Sequence, residues 1–175
     1  MHCKINTNIE TDEICVRCLT TPMHYDSKKN KLNIITFLPP KNTSSVSLLR
    51  LKYTTNEFCE SHGRNLNAGK NTYIGLTYIT PQILNKALES FYSEYEINDI
   101  AAKIEGTPIN ENGEYRTDLD NVFSDDPGLP MHADLIYSKA YNAEAGEVRT
   151  NIRIIAQNIV NLVSVELSNE SEIDR

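Results

Sequence analysis

Two stretches of this chain carry apolar residues at helical spacing, and every other apolar run is short and β-branched. That contrast restricts it to folds that set a few helices against a sheet. Over residues 81–95, Leu84, Leu88, Phe91 and Tyr95 recur every three or four positions behind Thr80-Pro81, with proline at the first helical position. Over residues 147–166, Val148, Ile152, Ile155, Ile159 and Leu162 form a second stripe. A shorter helix is predicted over 54–63, opened by a Thr54–Glu57 capping box and closed at Gly63.

The short runs at 13–20, 32–38, 46–53, 72–79, 100–104 and 132–138 read as strands. The run that begins at Val46 is apolar on both faces in its early part, as a central strand covered on both sides would be. Asn112-Gly113 is a hairpin signal that predicts pairing of 105–109 with 114–117. Strands and helices do not alternate regularly, and neither G-x-G-x-x-G nor a P-loop occurs, which argues against a Rossmann-type sheet. The expected fold is α+β: one curved mixed or antiparallel sheet carrying about three helices, in a single domain over 13–167. A flexible segment over 1–12 and a polar tail over 168–175 flank it.

The 175 residues, 39% apolar and 23% charged, suffice for a core without disulfides or metals. No apolar run approaches the roughly 20 residues of a membrane span, and Met1–Asn6 lacks the apolar core of a secretory signal. Four cysteines in such a chain fit a reducing cytoplasm. The net charge of −7 disfavours unaided nucleic-acid binding. The charge is uneven: residues 1–70 hold ten Lys/Arg against six Asp/Glu, and residues 71–175 hold seven against eighteen. A basic first half has the means to form a local anion-binding face.

Three groups of residues carry possible chemistry. Cys15-x-x-Cys18 and Cys59-x-x-His62 have metal-ligand spacing. However, Cys15 and Cys18 lie on a strand pattern that sends residues three apart to opposite faces, so they read as core cysteines and no zinc site is expected. His132 and Asp134 share one strand face just after a turn, which suits a general acid–base pair. A histidine bonded to a loop carbonyl, beside an aspartate capping the turn, is the alternative. Arg17, inside an apolar strand, and Arg50 and Lys52, at the end of another, are candidate anion ligands. Arg50 and Lys52 read equally as snorkelling side chains, and Asp134 is a possible internal partner for the arginines. His24 lies in the loop after the first strand, within reach of such a cluster if the loop folds back.

The layout Val16-Arg17-x-Leu19, Thr36-Phe37-Leu38-Pro39-Pro40, Val46-Ser47-Leu48-Leu49-Arg50 and Pro130-Met131-His132-Ala133-Asp134 resembles a group of small bacterial proteins. That resemblance covers about half of the chain and implies no particular activity. An arginine on a first strand followed by the serine-rich strand start Ser44–Ser47 is similar to ADP-ribosyltransferases, but the spacing here is short and no catalytic Glu motif follows. Two functions remain open. One is a cytoplasmic binding or accessory protein, the partner subunit of a larger bacterial enzyme or effector, without a cofactor. The other is a small enzyme acting on a phosphate-bearing or nucleotide-like substrate, with His132 and Asp134 as acid–base pair and Arg17, Arg50 and Lys52 as clamp. Convergence of Arg17, Arg50 and His132 on one concave pocket would separate them.

Overall fold

The computed structural model describes residues 5–66, 71–95, 100–116, 128–141 and 146–168. The chain runs through β1 (Cys15–Thr21), β2 (Tyr25–Asp26), β3 (Lys31–Leu32), a 3-10 turn (Ile34–Phe37), β4 (Thr43–Arg50) and a second 3-10 turn (Leu51–Tyr53). It continues through α1 (Asn56–Asn65), β5 (Thr72–Ile79), α2 (Pro81–Tyr95), β6 (Ala102–Gly106), β7 (Ile109–Asn110), β8 (Gly128–Leu129), β9 (His132–Tyr141), α3 (Gly146–Leu162) and β10 (Ser164–Leu167). Six strands form an antiparallel sheet in the order β10-β5-β1-β4-β9-β6. This is an α+β fold. No helix among the described residues is long and apolar enough to cross a membrane.

Alternation along the strands feeds two cores. On one face, Leu19, Leu48 and Leu135 meet the buried stripes of α2 (Leu84, Phe91) and α3 (Ile152, Ile155, Ile159). On the other, Val16, Leu49, Leu76 and Met131 pack with Cys59 of the shorter α1. The helical stripes therefore bury as their periodicity predicts. α3 stops at Leu162, however, and the chain turns back as the edge strand β10.

Two local elements differ from expectation. Residues 32–38 hold only the end of the two-residue strand β3 and a 3-10 turn, because the segment folds over α3 instead of joining the sheet. The Asn33 side chain donates to the Pro22 and Met23 carbonyls, and the Tyr137 hydroxyl donates to the Phe37 carbonyl. α1 is capped by Thr55, which accepts from the Phe58 N–H, and it runs through Gly63 to Asn65. Gly63 serves packing here: a Cβ would sit 2.5 Å from the Tyr73 ring. Around Asn112-Gly113 the two arms do pair, through the Asn110 N–H bond to the Glu114 carbonyl, the Arg116 N–H bond to the Pro108 carbonyl and an Ile109↔Tyr115 bridge, and Thr117 lies outside the described residues.

The sheet is forked at its centre. β1 pairs with β5 from Cys15 to Thr21, and β4 pairs with β9 from Thr43 to Leu49. β1 and β4 pair with each other only at Cys15↔Arg50 and Val16↔Leu49. Beyond that vertex the two strands separate.

Behind the vertex sits a buried ion pair. Arg50 is 0% exposed. Its Nε and Nη2 donate to the two Glu13 carboxylate oxygens at 2.5 and 3.0 Å. Its remaining donors reach the Asn6 and Asn8 carbonyls, and Tyr53 stacks under the guanidinium. Residues 5–14, polar and without a regular element, are thereby tied to the sheet, helped by the buried Ile5 and by a Gly106 N–H bond to the Thr7 carbonyl. Gly106 is required at that approach, since a Cβ would lie 2.7 Å from Arg50 Nη1. Glu13→Gln keeps the shape and leaves the guanidinium buried without its counter-charge, an arrangement that costs about 3–5 kcal/mol. Urea unfolding should show that loss at neutral pH, and a change under about 0.5 kcal/mol would mean that the pair does not anchor this segment.

Candidate functional site

A strand that loses its neighbour must find new partners for its facing N–H and C=O groups. In the fork two of those partners are side chains. Arg17 Nη1 donates to the Ser47 carbonyl at 2.8 Å, bridging from β1 to β4. His24, from the loop after β1, serves both backbone groups of Thr20: its backbone N–H donates to the Thr20 carbonyl at 2.7 Å, and its ring Nδ1 accepts the Thr20 N–H at 3.2 Å. The loop is in turn fixed by the Thr36 hydroxyl, which donates to the His24 carbonyl.

The gap between the strands is not filled. It is a cleft of about 180 Å³ whose walls include Val16, Leu48 and Leu49, with Met23 and Leu66 also lining it. Three of the chain's four histidines, His24, His62 and His132, line it together with Arg17.

Each polar group has a defined state. Arg17 Nε is shut off from water without a partner, and Nη2 takes no hydrogen bond among the described residues. Burial lowers the guanidinium pKa, while the Asp134 charge acts in the opposite direction without an ion pair. Because His24 Nδ1 accepts a backbone N–H, its neutral ring carries the proton on Nε2. Burial, and then the Arg17 charge, push His24 down to about 4. His62, stacked on Phe58, is lowered by burial and by the charge of His132.

His132 has the opposite tautomer. Its Nδ1 lies 3.0 Å from the Thr107 carbonyl and 2.9 Å from the Thr107 hydroxyl. A carbonyl only accepts, so Nδ1 holds the hydrogen. The Thr107 hydroxyl donates to Asp134 Oδ2 at 2.8 Å. Asp134 thus orients the ring through Thr107, with 3.9 Å between His132 Nδ1 and Asp134 Oδ2. His132 Nε2 has no hydrogen-bond partner among the described residues. The histidine is bonded to a loop carbonyl and also faces the cleft, so the two sequence readings coexist.

Arg17 and His132 therefore share one cleft, with Asp134 behind them. Arg50 and Lys52 lie outside it. Arg50 is engaged by Glu13 and the Asn6 and Asn8 carbonyls, and the exposed Lys52 bonds Glu10 at 2.7 Å. Neither is available as an anion ligand in this arrangement. Cys15 packs into the larger core and Cys18 against the smaller one on the opposite face, where its thiol donates to the Cys59 carbonyl. Burial raises Cys15 and Cys59 to about 12 and Cys18 to about 11, so all three remain thiols at neutral pH. Among the described residues no group of three or more His, Cys, Asp or Glu is placed to hold a metal ion.

Sequence reasoning gave Thr107 no role, since a lone Thr-Pro after a strand carries no signal. It placed His24 in the cluster only on the condition that its loop folds back, because nothing local shows that the loop returns onto β1. Comparison of the chain with protein-family models, curated proteins and solved structures found no match.

A histidine held neutral by burial makes stability depend on pH. The unfolded ring protonates near 6.5 and the folded one near 4, so the unfolded state binds the proton first on acidification. The His24 contribution is intact above about pH 6.5 and falls away toward pH 4, by up to about 3 kcal/mol. In His24→Asn the amide oxygen can still accept the Thr20 N–H, and nothing titrates. Urea unfolding at pH 7 and pH 4.5 should show a smaller acid loss in the variant, whereas equal losses would place the His24 ring outside the fork.

Proposed function

We propose that the protein binds a small anionic molecule in the cleft of the forked sheet, with Arg17 as its cation and His24 as a neutral donor beside it. The observation that carries this reading is the Arg17 guanidinium: it lines an unfilled cavity, and beyond the Nη1 bond to the Ser47 carbonyl its Nη2 takes no hydrogen bond among the described residues. A guanidinium with spare donors beside a cavity marks a place for an anion. A binding role of this kind suits an accessory subunit as readily as a free-standing protein.

The Asp134–Thr107–His132 chain favours a second reading in the same cleft, an acid–base enzyme. A ring with Nδ1–H fixed by an acceptor offers its Nε2 lone pair to a substrate proton. A phosphate-bearing substrate held by Arg17, Arg50 and Lys52 together receives less support, because only Arg17 reaches the cleft.

A ligand that binds only the folded state raises stability in proportion to the logarithm of its concentration over Kd. The thermal midpoint should therefore rise with millimolar acetate or phosphate at constant ionic strength, and the rise should shrink in Arg17→Lys. If small anions raise both proteins equally, the effect is general screening and the binding reading fails. Recovery of an unchanged ligand after long incubation supports binding over catalysis.

A further inference from the structure

We propose that the cleft selects a small aliphatic monocarboxylate, its carboxylate toward Arg17 and His24 and its branched hydrocarbon body against the valine and leucine walls. This rests on the anion-binding reading above and narrows it by size, charge and polarity.

Size is the first restriction. The cavity of about 180 Å³ is below the roughly 300–1,000 Å³ of sites for drug-sized ligands. That size suits a small molecule better than a nucleotide.

Charge is the second. Among the described residues the cleft is lined by one arginine, and Asp134 is close enough to act on it electrostatically. His24 is uncharged at neutral pH, and His62 is biased toward its neutral form. One positive charge partly offset by a carboxylate balances a single negative charge poorly matched to a dianion. One guanidinium Nη1 hydrogen is already committed to the Ser47 carbonyl, and the remaining planar edge matches the two coplanar oxygens of a carboxylate.

Polarity is the third. Val16, Leu48 and Leu49 form the walls, and Met23 and Leu66, 41% and 53% exposed, also line the cleft. An apolar body gains by covering such residues. Met adapts its shape to irregular apolar groups.

The test is calorimetric titration of the full chain with 3-methylbutanoate, acetate, inorganic phosphate, AMP and 3-methylbutanamide. The ring signals of His24 and His132 are followed by NMR in parallel to locate each probe. 3-Methylbutanoate should bind at least about tenfold more tightly than acetate, more tightly than phosphate or AMP, and should shift both rings. The amide, of the same shape without the charge, should bind at least about tenfold more weakly than the acid. Arg17→Lys should weaken the acid by a similar factor, and because that variant disturbs the fork, the wild-type ring shifts carry the localisation. Tighter binding of phosphate or AMP with the same rings shifted would overturn the monocarboxylate and keep the anion site. Equal binding of acid and amide would overturn it too. If no probe shifts either ring, both this inference and the anion-binding reading fall.

Discussion

The rest of the structure depends on how the sheet satisfies its backbone where β1 and β4 part. Two residue pairs join the strands, and then each follows its other neighbour. An open edge inside a sheet cannot be left dry and unpaired, because each buried orphan costs about 1–3 kcal/mol. Here Arg17 serves the Ser47 carbonyl and His24 serves Thr20. Both side chains are larger than the peptide groups they replace. They wedge the strands apart as they satisfy them, and the remaining space is the cleft. The site is thus a consequence of the fork and needs no separate loop or lid.

The two arginines on the strands beside this fork show how position decides chemistry. Arg50 lies at the closed end, where Glu13, two carbonyls and a tyrosine ring consume its hydrogen-bonding capacity. It holds residues 5–14 against the sheet and pins the vertex. Arg17 lies at the open end with one strong acceptor and a cavity. Each stands within an apolar strand sequence. Only the register, Cys15↔Arg50 against an unpaired Arg17–Ser47 stretch, separates a structural cation from a binding one.

Much of the fold is legible in the residues. α2, α3, β1, β5 and β9 follow from periodicity because each buries a face whose spacing has one geometric solution. Residues 32–38 misled because a β-branched run bounded by prolines has the composition of a strand, while its place over α3 is set by distant bonds from Tyr137 and to Pro22 and Met23. β10 was hidden because Val163 and Val165 prolong the apolar character of α3 beyond its end. For the site, His132 and Asp134 were legible from their shared strand face. Thr107, which couples them, was not, since it is brought in from 25 residues away by the β6–β9 pairing. The fork itself leaves no local signal, because its cause is the divergence of two strands about 30 residues apart.

The fork assigns opposite tautomers to two histidines in one cleft, and a long-range proton–nitrogen NMR spectrum at pH 7.5 reads them directly. His24 should appear neutral, with Nδ1 bare and Nε2 protonated, and His132 should carry a hydrogen on Nδ1. A hydrogen on His24 Nδ1 would mean that Thr20 is not satisfied by that ring, and the account of how the sheet opens its cleft would be contradicted.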